Sequence, residues 1–161
     1  RLEEARDAHA GGGLIMRTGP ECRKLSEVVC NYYYVVLAGL AEVDLSGKAE
    51  QVAAHLAGLQ HLDRGQRGHG GVFHDASRAA MTLSSTTYAV ATLHTLGLAS
   101  REGEDFVSRL DLGSLGAYLL AAPHDMESVY MAHRALAYTP IITQYFDTKV
   151  SYEAQGWEGP G

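Results

Sequence analysis

The sequence predicts an all-α fold built from helical hairpins, and three observations carry that prediction. Apolar residues recur at three-to-four spacing, as in Leu25, Val28, Tyr32, Val36 and Leu40, which is the period of a helix with a buried face. Glycine, proline and small polar residues punctuate the chain where such segments begin and end. Strand-type alternation of apolar and polar residues is missing throughout.

Taken in order, Arg1 to Ala10 has the composition of a short polar helix, ended by Gly11-Gly12-Gly13. Residues 11–20 read as a loop or docking arm with Leu14-Ile15-Met16 as its apolar contact. The first strong helix spans Glu21 to Leu40, and Tyr33, Val35 and Leu37 make it apolar nearly all round, so it is expected to be buried on more than one face. Lys48 to Leu59 carries one stripe, Val52, Leu56 and Leu59, and reads as an outer helix capped by Ser46-Gly47. Gln60 to Ala76 holds four glycines and is a loop. Ser84 to Leu96 is a helix with a serine start and Gly97 as its C-terminal stop. A connection over Arg101 to Arg109 leads to a helix over Leu112 to Ala122, which Pro123 stops. A last inner-type helix runs from Met126 to Tyr138 with Asp125 as its cap. The organisation is an N-terminal arm (1–20), a repeat domain (21–140) and a C-terminal tail (141–161).

Length and composition restrict the function. With 161 residues and 46% apolar content the chain suits one domain with a real core. Its net charge of −6 disfavours binding to nucleic acid or anionic lipid. The longest apolar stretch, around Tyr32 to Leu40, is far too short to span a bilayer. Cys22 and Cys30 on one helix would stand about 12 Å apart at its rise per residue, too far for a disulfide. Thiols so placed slightly favour a reducing compartment. The opening at Arg1 rather than methionine reads as a processed form or an excerpt, with any targeting segment out of view.

Internal similarity is the most informative feature. The segments CNYYYVVLAGL, STTYAVATLHTLGL and SVYMAHRALAY each place a tyrosine before apolar residues at helical steps, with unequal spacing between copies. The run VAAHLAGLQ…GHGGVF followed by LSSTTYAVATLHTLG resembles the repeat of α/α-toroid proteins, which include protein prenyltransferase β subunits and squalene–hopene-type terpene cyclases. In that repeat an outer helix ends in glutamine, a Gly-Gly-aromatic turn follows, and an inner helix begins near a polar cap. Leu59-Gln60, Gly70-Gly71-Val72-Phe73 and Ser84 to Gly97 take those places. The match is best over about residues 48–97. It implies a partial α/α-toroid of about three hairpins, against about five or six in a closed ring. Gly70 and Gly71 are then a structural turn, with Phe73 filling the gap between hairpins.

The family's catalytic residues are absent. The prenyltransferase zinc site carries a cysteine just after the tyrosine position of an inner helix, and Tyr33, Tyr88 (or Ala89) and Met131 occupy those slots. The Asp-x-Asp-Asp acid motif of the cyclases does not occur. Nor do the residues supply another chemistry. His69 and His74 flank glycines at a spacing unlike paired zinc ligands and, with His55 and His61, read as solvated loop histidines. His94 and His133 read as hydrogen-bonded core or interface histidines. Capping explains Asp125, and helix-surface pairing explains Glu127, His133 and Arg134. Ser84 to Thr87 lacks a nucleophile elbow, and no strand precedes Gly68 to Gly71 to make a phosphate cradle. No catalytic, cofactor or metal residue is expected.

An open arc of hairpins leaves its apolar face in water unless something covers it. The sequence therefore points to a non-catalytic structural or accessory subunit of a larger assembly, with other protein subunits as partners. Its interface candidates are the tyrosine trio Tyr32, Tyr33 and Tyr34, with Tyr88, Tyr130, Tyr145, Phe146 and Trp157. The alternative is a subunit or fragment of an isoprenoid-handling enzyme, whose tyrosines would line a pocket for a small apolar ligand. A weaker option is a peptide- or lipid-binding module using the open concave face.

Overall fold

A computed structural model describes residues 6–8, 14–16, 27–100 and 103–140. The protein is all-α: among these residues five helices pack against one another. They are α1 (Glu27–Leu40), α2 (Ser46–Gly58), α3 (Leu83–Ala99), α4 (Leu112–Ala121) and α5 (Met126–Ala137), with a 3-10 turn at Val107–Arg109. The beginning of the first predicted helix, Cys22, and the tail with Tyr145, Phe146 and Trp157 lie outside the described residues.

The N-terminal arm differs from the sequence expectation. In place of a polar helix, β1 (Arg6–Ala8) pairs antiparallel with β2 (Leu14–Met16) in the register Asp7 to Ile15. Gly11-Gly12-Gly13 between them disfavours a helix and permits a chain reversal. A two-stranded ladder is marginal by itself, and β2 runs alongside α1.

Helices α1, α3 and α5 are neighbours in that order, while α2 packs on α3 and α4 on α5. The central α3 explains how a Ser/Thr-rich helix can be buried. Thr86, Thr87, Thr92 and Thr95 each donate a hydroxyl hydrogen bond to the carbonyl four residues earlier, at 2.7–3.0 Å. With their polar groups satisfied inside the helix, Ala89, Val90, Leu93 and Leu96 join the core beside Val28 and Tyr34 of α1 and Leu56 of α2. The flanking helices are less enclosed than the sequence suggests. The residues Tyr33, Leu37 and Leu40 of α1 are exposed, and so are Met126, Val129 and Tyr130 of α5. The described residues place nothing over those faces, so an all-round apolar pattern does not mean all-round burial here.

The helix ends obey local chemistry, with three shifts from expectation. Asp44, rather than Ser46-Gly47, supplies the first turn of α2, accepting from the Ser46 N–H at 2.9 Å. The cap of α3 is Thr82, two residues early, in a reciprocal box with Ser85. Gly97 does not stop α3, which runs on to Ala99. A Cβ at Gly97 would overlap the Glu104 carbonyl oxygen, so glycine there serves a close crossing of two chain segments. Asp111 and Asp125 cap α4 and α5 through the N–H groups of Ser114 and Ser128, at 2.7 and 2.8 Å.

Those two caps make a pH prediction. Hydrogen bonds from Ser114 and from Ser128 hold the Asp111 and Asp125 carboxyls below their ordinary values. A lowered folded-state pKa gives stability that is present above the unfolded value of about 3.9 and is lost as pH falls through the lower one. The melting temperature is therefore expected to drop between about pH 5 and pH 3, and an Asp111→Asn/Asp125→Asn variant, still able to cap, to drop less. Parallel curves for the two proteins would refute this.

Candidate functional site

The histidines are placed otherwise than the solvated reading holds. The buried His55 ring lies 3.2 Å from the Glu27 carboxylate, which also accepts from the Ala76 N–H at 3.2 Å. His61 packs on Phe73 at 5.2 Å between ring centroids. His69 and Ser114 are 3.0 Å apart, and His74 and Thr82 also 3.0 Å. They are tethers of the glycine loop, and sequence reasoning missed them because the partners of His55 and His69 are distant in the chain and no local pattern announces the others. Among the described residues, no three His, Cys, Asp or Glu side chains converge as a metal site would require.

The loop itself is a structural clasp. Gln60, which ends the α2 segment, is buried and donates from its amide to the carbonyls of Gly70 and Asp111, both at 3.1 Å. Its side-chain oxygen accepts from the Asp111 N–H at 2.8 Å. Gly70 has φ +95° and lies against the Ser114 carbonyl, where no side chain fits. Gly71 sits under Met81 and Tyr118. Phe73 is partly buried against the core, with the Arg78 guanidinium 5.6 Å over its ring.

The tyrosines are brought together more selectively. Of the consecutive trio, Tyr34 is wholly buried, its hydroxyl without a hydrogen-bond partner among the described residues, and belongs to the core. Tyr32 and Tyr33 instead meet Tyr88 of α3. The ring centroids of Tyr32 and Tyr33 are 5.4 Å apart, those of Tyr32 and Tyr88 5.0 Å, and those of Tyr33 and Tyr88 6.3 Å. These are tilted and edge-on contacts of the favoured kind. Burial first, then the neighbouring Tyr33 hydroxyl, raises the pKa of Tyr88 above that of an ordinary phenol, so it remains a neutral donor.

On α5, Tyr130, Arg134 and Tyr138 stand four residues apart and share one stripe. The Tyr138 hydroxyl beside the Arg134 guanidinium holds that group protonated, and Tyr32 and Tyr130 lie close enough to act in the same sense. The Tyr138 ring stacks on His94 of α3 with centroids 4.7 Å apart. The result is a belt of phenols crossing α1, α3 and α5 around one guanidinium. Sequence reasoning assigned Arg134 to helix-surface pairing and overlooked Tyr138; the four-residue spacing of Tyr130, Arg134 and Tyr138 was the available signal. Tyr145, Phe146 and Trp157 lie outside the described residues.

The belt offers flat aromatic area, hydroxyl groups and one positive charge. A separate open cleft of about 310 Å³ lies between the C-terminal half of α3 and residues 103–107. Leu93, Phe106 and Val107 line it together with Glu104 and Asp105. Asp105 is already engaged by Ser108.

No protein-family model, curated protein or solved structure matches the chain. No helix among the described residues is long and apolar enough to cross a membrane.

Proposed function

We propose that this protein is a non-catalytic structural or accessory subunit of a larger assembly. The carrying observation is the exposed apolar and aromatic surface on α1 and α5. Tyr33, Leu37 and Leu40 stand on one stripe of α1, and Met126, Val129 and Tyr130 on α5. Such surface, grouped on each of the two helices that flank α3, supports an interface, whereas apolar side chains scattered singly are ordinary. The order of helix contacts supports an arc of about three hairpins, read as part of an α/α toroid, with α1, α3 and α5 as its inner layer. The flat aromatic area of the belt supports docking.

Sedimentation velocity of the full chain, with ANS fluorescence as a readout of apolar surface, tests the reading. The wild type is expected to self-associate or bind ANS, and a Tyr33→Ser/Leu37→Ser/Tyr130→Ser variant to do so far less at unchanged helical content. A well-folded monomer that leaves ANS dark would sink it.

The second reading, a subunit or fragment of an isoprenoid-handling enzyme, rests on Tyr32, Tyr33 and Tyr88 standing beside Arg134. Isoprenoid binding by calorimetry that is lost on Tyr33→Ala or Tyr88→Ala would favour it. No binding at millimolar ligand would remove it.

A further inference from the structure

We draw no further inference here: the strongest candidate, the exposed apolar stripe of Tyr33, Leu37 and Leu40 on α1 with that of Met126, Val129 and Tyr130 on α5, belongs to the surface already described, and nothing among the described residues shows what covers it.

Discussion

Gln60→Leu is expected to destabilise the protein by about 2–4 kcal/mol, because it strands the buried Gly70 carbonyl and the partly buried Asp111 N–H at once, while the Asp111 carbonyl keeps the Leu115 N–H. The Gln60 amide and carbonyl satisfy Gly70 O, Asp111 O and Asp111 N–H. Leucine occupies similar volume and offers none of them a partner. Each unsatisfied group costs about 1–3 kcal/mol, against a total stability of about 5–15 kcal/mol for a domain. Urea denaturation followed by circular dichroism gives the number. Gln60→Glu, which keeps the acceptor for Asp111 N–H and gives up the donors, should fall between. A loss below about 1 kcal/mol for the leucine variant, the worth of one ordinary hydrogen bond, would mean that water replaces the clasp.

Gly70→Ala is expected to cost about 3 kcal/mol or more, combining backbone strain with a steric conflict that cannot relax cheaply. The backbone there has φ +95°, and a Cβ would overlap the main-chain carbonyl of Ser114, in the first turn of α4. Gly65→Ala is the control. It has φ +90° with open space around it, so strain alone applies, about 1–2 kcal/mol. Comparable losses at the two positions would show that the loop lifts away from α4 at little cost.

Both sites connect segments that the sequence can describe only separately. The helices themselves were legible because each announces itself locally. Asp125 caps α5 where the pattern starts, and Val52 and Leu56 mark the buried side of α2. The misreadings came where a residue answers to something remote. Gly97 looks like a helix stop, yet its lack of a side chain serves Glu104 across the chain. His55 and His69 look solvated because Glu27 and Ser114 are far away in sequence. The belt was half visible. Tyr33, Tyr88 and Tyr130 stood out by composition, but which member of the Tyr32-Tyr33-Tyr34 run faces outward depends on where α3 lies. Arg134 gained meaning only once α5 was set against α3.

The self-contained hydroxyls of α3 also bear on how the helix layer is assembled. A helix that settles its own polar accounts asks its neighbours for shape and little else. Among the described residues these hydroxyls reach other elements at two positions: Thr87 donates to the Met131 carbonyl at 3.3 Å, and Thr86 accepts from the Val72 N–H at 2.9 Å and meets the Tyr118 hydroxyl. A neighbour laid against Ala89, Val90, Leu93 and Leu96 therefore needs to match the shape of α3 rather than supply a donor or an acceptor.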